Sequence, residues 1–163
     1  MADTSRIVPA LEALVDRLAA RPALSTVDVV DGPPLDWEGI KLPTPQKGDG
    51  KRYLFVGASP GDDETAAEGA QDFNAAGAVS RDENFAIILS ALGIDGGGSM
   101  RVARGYARAL MTEVEQCIRA DVTIGDTVLY SRVSTVDRLD QSQNSGGASA
   151  TFVFRVACRA YLS

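Results

Sequence analysis

Three groups of residues in this chain could do chemistry. The first is the acidic triplet Asp62, Asp63 and Glu64, which follows an apolar run and a Gly/Pro turn in 53-YLFVGASPGDDE-64. A short strand, a glycine-bearing turn and then polar residues is how many nucleotide sites begin. The second is Arg101, Arg104 and Arg108, at three- and four-residue steps with no acid between them. The third is Asp137 and Asp140, followed by Gln141, Gln143 and Asn144 in a polar stretch.

The triplet fails as a phosphate cradle. Such a loop needs backbone N–H groups and a helix N-terminus aimed at the anion. Pro60 lacks an N–H, and three carboxylates would repel phosphate. The Lys-Ser/Thr pair of a P-loop and the dinucleotide fingerprint are both missing. Adjacent carboxylates suit a hard cation, but the alternating oxygen ligands of a calcium loop are absent, and a solvated acidic loop accounts for them better. The turn 95-DGGG-98 reads as a hinge between a strand and a helix. Asp137 and Asp140 read as exposed acids flanking a hairpin tip. The chain has no histidine, which removes the commonest general base and the commonest zinc ligand. Cys117 and Cys158, far apart in apolar patterns, read as buried free thiols. No catalytic residue, metal site or cofactor is expected.

The elements that must position these residues follow from periodicity. Ile7, Leu11, Leu14, Val15 and Leu18 predict a helix over residues 5–20, capped by Thr4 or Ser5 and ended by Arg21-Pro22. Val27, Val29 and Val30 make a short strand ended by 31-DGPP-34. Residues 35–50 form an irregular extended surface segment, tacked down by Trp37 and Ile40. A second strand covers 51–57. Residues 66–77 fit either helix or strand; strand is chosen, because the next segment needs an antiparallel neighbour. That segment, 83-ENFAIILSALGI-94, is apolar almost throughout, which implies cover on both faces.

Ser99 caps a long helix over 99–120, with Met100, Ala103, Ala107, Leu110, Val114, Cys117 and Ile118 buried and the arginines outside. A hairpin closes the chain: a strand over 127–141, a polar tip over 142–148 and a strand over 149–162. In the last strand Phe152, Phe154, Val156, Cys158 and Leu162 share one face, and Arg155, Arg159 and Tyr161 the other. The sum is a single domain over residues 1–163 of the α+β class. A largely antiparallel sheet carries both helices on one face.

The formal net charge of −6 argues against a module that grips duplex DNA. It fits a wall that DNA slides past. No apolar run reaches the length of a membrane span, and residues 1–18 lack the pattern of a signal peptide. The arginine face reads either as a solvated helix surface or as a docking face for an acidic surface, such as the 62–64 loop of a neighbouring copy.

Several segments, in order, resemble the tail terminator proteins of long-tailed bacteriophages, in the form found in phages of actinobacteria. They are the N-terminal amphipathic helix, 27-VDVVDGPP-34, 53-YLFVGASPGDDE-64, 70-AQDFNAAGAVSRDENFAIILSALGID-95, the long helix, and 139-LDQSQNSGGASATFVFRVACRAYL-162. The resemblance covers nearly the whole chain, and its force lies in order and spacing. It implies a homo-hexameric ring that caps the tail tube at its set length and presents a surface to the head–tail connector. DNA would pass through the lumen without specific binding. The implied partners are the chain itself, the major tail tube protein and a head completion protein. The implied location is the tail–neck junction of the virion, with assembly in the host cytoplasm. Asp62, Asp63, Glu64, Arg101, Arg104, Arg108, Gln141, Gln143 and Asn144 are the expected contact residues. The alternatives are another neck or head-completion connector, or a divalent-cation-dependent enzyme using residues 62–64.

Overall fold

The computed structural model describes residues 4–34, 50–61, 65–73 and 80–163. The expected segment 35–49, with Trp37 and Ile40, lies outside the described residues, as do Asp62, Asp63, Glu64 and residues 74–79. The elements run α1 (Ile7–Ala19), a 3₁₀ turn (Pro22–Leu24), β1 (Asp28–Asp31), β2 (Gly50–Val56), β3 (Ala67–Phe73), β4 (Arg81–Asp95), α2 (Met100–Ala120), β5 (Tyr130–Asn144) and β6 (Gly147–Leu162). This is an α+β fold, with a mixed, mostly antiparallel sheet of six strands in the order β1-β2-β4-β6-β5, and β3 also paired to β4.

Strand β4 is the axis of the sheet. Its whole length pairs with β6 on one side. On the other side residues 81–87 pair with β3 and residues 89–95 with β2, so β2 and β3 lie end to end along one edge. Ile88 joins them: its N–H donates to the Ala66 carbonyl and its carbonyl accepts from Gly57. β1 adds to β2 as the one parallel pair.

Both helices pack on the same face. Phe85, Ile87, Leu89 and Ala91 of β4 and Phe154, Val156, Cys158 and Ala160 of β6 meet Leu14 and Leu18 of α1 and Leu110, Val114 and Cys117 of α2 in one core. A second apolar group, Phe55, Leu92 and Ile94 with Val30 and Tyr53, belongs to residues of the opposite parity and the opposite face. From Ile87 to Asp95 every residue of β4 is buried, which explains why that run is continuous rather than alternating. Before Ile87, Asn84 is exposed and Ala86 half-buried, so the two-sided cover holds only for the second half.

The N-terminal end of α2 lies unusually close to the sheet. Ala103 and Ala107 pack on Ala148 and Ala150. A side chain begun at Gly93 would come within 2.4 Å of the Ala103 carbonyl, so the backbones meet where only glycine and alanine fit. Ser99 caps this helix through a 3.3 Å hydrogen bond from the Val102 N–H, and Asp95 Oδ2 accepts from Ser99 N. Arg52 lies 4.6 Å over the Tyr106 ring and ties β2 to α2.

Two sequence expectations need correction. The hairpin has no seven-residue tip over 142–148. The strands run to Asn144 and resume at Gly147, leaving a two-residue turn. Asn144 Oδ1 accepts from Gly146 N, and Gly147 takes φ +128°, so the turn closes tightly while small residues behind it pair on and tuck under α2. The preceding strand begins at Tyr130 rather than residue 127, because 121–129 is a loop built around Asp121. That carboxylate accepts from the Thr123 N–H and hydroxyl and from Gly125 N, and pairs with Arg17 at 2.6 Å. Ile124 plugs the core from this loop at φ +47°, a strained conformation for a β-branched residue.

Candidate assembly surfaces

At the acidic loop, only the approach is described. Gly57 and Gly61 take positive φ, Ser90 Oγ donates to the Ala58 carbonyl at 2.7 Å, and the Arg138 guanidinium donates to the Pro60 carbonyl. The loop's entrance is therefore pinned to β4 and reached by β5. Among the described residues no group of three or more His, Cys, Asp or Glu could hold a metal ion. Asp137 and Asp140 are engaged separately, with Arg155 and Arg138 at 2.8 Å each, so they do not form a free carboxylate pair.

Arg101, Arg104 and Arg108 lie on the exposed side of α2, opposite Ala103, Ala107 and Leu110. Among the described residues none of the three side chains has an ion pair or hydrogen bond. Further along the helix Arg119 pairs with Glu115, and Glu113 holds Arg21. The unbalanced charge is thus confined to the first half of α2.

Gln141, Gln143 and Asn144 are strand residues, paired with Ala150, Ala148 and Gly147. Gln143 Nε2 donates to the Gly98 carbonyl at 2.9 Å, linking the hairpin end to the glycine hinge before α2. Strand β5 itself is an outer edge of the sheet. It is 15 residues long, and all but Ser131 and Val133 are exposed. Val136 is 49% and Leu139 37% exposed. Register shifts at Val133/Thr135 and Val136/Arg138 leave a regular ladder from Arg138 to Asn144.

The face of the sheet away from the helices carries an ionic lattice. Arg155 of β6 reaches Glu68 of β3 at 2.7 Å and Asp137 of β5 at 2.8 Å. These contacts, Glu68 first, raise its already high pKa. Arg159 pairs with Asp82. Between them lies an open groove of about 630 Å³, floored by Ala86 and Ala157 and rimmed by Tyr130, Arg132 and the paired charges. The sequence separates Arg155 and Arg159 from the phenylalanines correctly. The lattice that engages them joins strands far apart in the chain.

Sequence reasoning missed Glu83. It is the third residue of β4 and points to the helix face, 2% exposed. Its carboxylate accepts from Ser5 Oγ at 2.7 Å, from Arg6 N at 2.6 Å and from Gln71 Nε2 at 2.8 Å. The cap position is Arg6, with no side-chain cap bond, rather than the expected Thr4 or Ser5. Ser5 does accept from Ile7 N, but the open end of α1 is closed mainly by a carboxylate 77 residues away. The available signal was an acid at a core-facing position in an apolar strand. The thiols of Cys117 and Cys158 are buried and unbridged. Burial pushes Cys158 up to about 12 and also raises Cys117, against the pull of Arg21 and Arg17.

Among the described residues no helix is long and apolar enough to cross a membrane. No protein-family model matches the chain, and comparison with curated proteins returns no match.

Proposed function

We propose that the chain is a non-catalytic virion component, a tail terminator that assembles as a ring on the end of the phage tail tube. The observation that carries this reading is β5. A long, exposed outer strand with apolar side chains turned to water is a surface that invites pairing with another chain. In a protein that works alone such an edge is a hazard; in a ring component it is covered on assembly. The uncompensated arginines of α2 are a second contact surface, since arginine is enriched where proteins meet. The resemblance over nearly the whole chain supplies the partners: further copies of itself, the tube protein below and the head connector above. The net charge of −6 suits a lumen through which DNA passes without sticking.

The test is tube growth. Tail tube protein polymerising in the presence of this chain stops elongating at the capped end, whatever the excess of tube protein. Replacing Asp62, Asp63 and Glu64 with Asn or Gln separates this from a cation-dependent enzyme: capping weakens at most, with no metal affinity to lose. Unchecked growth with wild-type chain, or divalent-cation affinity that the replacements abolish, contradicts the proposal.

A further inference from the structure

We propose that the exposed face of α2 docks on the exposed face of α1 of a second copy, with Arg104 and Arg108 opposite Glu12 and Asp16. This rests on the assembly reading above and names its contact.

The two faces match in charge, spacing and shape. On α2, Arg101, Arg104 and Arg108 are exposed, and none finds a partner among the described residues. On α1, Glu12 and Asp16 are exposed and equally unengaged. Each pair, 104/108 and 12/16, is one helical turn apart, about 6 Å along the axis, so both arginines can meet both carboxylates at once. Val8, 61% exposed, continues the Glu12/Asp16 stripe one turn earlier.

Gly105 adds an independent observation. Glycine inside a helix costs stability unless something needs the space. Among the described residues nothing does, because beyond the helix's own backbone no atom lies within 4 Å of where its side chain would begin. Gly93, by contrast, is demanded by the backbone of α2. Gly105 and Ala109, four residues apart and both exposed, make a smooth strip beside Arg104 and Arg108. A second helix could approach closely there, with the arginines closing over its carboxylates. Because α1 and α2 are different surfaces of one chain, the contact is head-to-tail, the kind that builds a ring when the rotation from copy to copy closes.

Sedimentation velocity at low and high salt tests it on four chains. Wild type self-associates, less so in high salt. Arg104→Glu/Arg108→Glu weakens association roughly tenfold or more, and so does Glu12→Arg/Asp16→Arg. The chain with all four changes regains association, because the charges are exchanged across the same contact. Gly105→Leu keeps or raises the thermal stability of the monomer and loses association. A four-fold variant that stays dissociated, a Gly105→Leu chain that assembles normally, or a wild type that is monomeric at every concentration overturns the contact. Tube capping scored on the same samples keeps the two questions apart: capping without this contact leaves the terminator reading standing, and this contact without capping removes only that reading.

Discussion

Glu83 is the residue on which the start of the chain depends. A buried carboxylate is costly unless fully hydrogen-bonded, and here three donors from α1's entrance and β3 converge on it. Burial alone raises its pKa. The Arg6 N–H, the Ser5 hydroxyl, the Gln71 amide and the Arg81 charge more than offset this, and the net direction is down from 4.5. A lowered folded pKa means that the stabilisation is complete above the ordinary glutamate value and is lost as pH falls through the folded one. Asp121 behaves likewise. The Thr123 hydroxyl first, then Gly125 N, Thr123 N and Arg17, hold it at about 2 rather than 3.8, so its contribution fades below pH 3.8 and toward 2. We expect Glu83→Gln to lower stability at neutral pH by about 2 kcal/mol, with a flatter acid limb in denaturation followed by circular dichroism. A variant whose pH profile runs parallel to wild type would remove Glu83 from this role. The local pattern marks an acid at a core-facing position but not its partners, because its donors come from residues 5, 6 and 71.

At the scale of elements, the two glycines facing α2's two sides give opposite expectations. Gly93→Ala puts a methyl 2.4 Å from the Ala103 carbonyl, so α2 must shift off the sheet. The expected cost is about 1–3 kcal/mol in chemical denaturation. Gly105→Ala enters open space and should stabilise the monomer by about 1 kcal/mol. Equal effects from the two would mean that the helix–sheet approach is looser than described. The edge strand carries a third expectation. Val136→Lys with Leu139→Glu should leave stability within about 0.5 kcal/mol of wild type, since both side chains face water, yet sharply reduce tube capping. Capping at wild-type efficiency would show that this edge is not a contact.

Element order was legible in the sequence, because an apolar period of 3.6 dominates α1 and α2, a period of 2 marks β6, and β4 is one near-continuous apolar run. Within the ambiguous segment 66–77, Ala67–Phe73 is strand, as the need of β4 for a neighbour implies, and residues 74–77 lie outside the described residues. The end of β5 was not legible. Asp140, Gln141, Ser142, Gln143 and Asn144 have loop composition, and they are held in a strand by pairing with β6 rather than by their own preference. The parallel placement of β1 beside β2 was likewise invisible, since no local residue encodes it.

At the scale of the molecule, the exposed sides of the two helices carry charge of opposite sign. The first half of α2 exposes arginines and α1 exposes Glu12 and Asp16, while on the opposite face of the sheet Arg155 and Arg159 are paired with Glu68, Asp137 and Asp82. Of the sites expected from sequence, Arg101, Arg104 and Arg108 come together on one exposed face. Gln141, Gln143 and Asn144 gather at the hairpin end, and Asp62–Glu64 lie outside the described residues. Their grouping follows from helix and strand geometry. The most direct test of the proposed role is negative-stain electron microscopy of this chain mixed with the tail tube protein that the proposal assigns to it. The account predicts rings of this chain seated on one end of each tube, with tubes of arrested length. Tubes with both ends bare, and this chain free in the background, would contradict it.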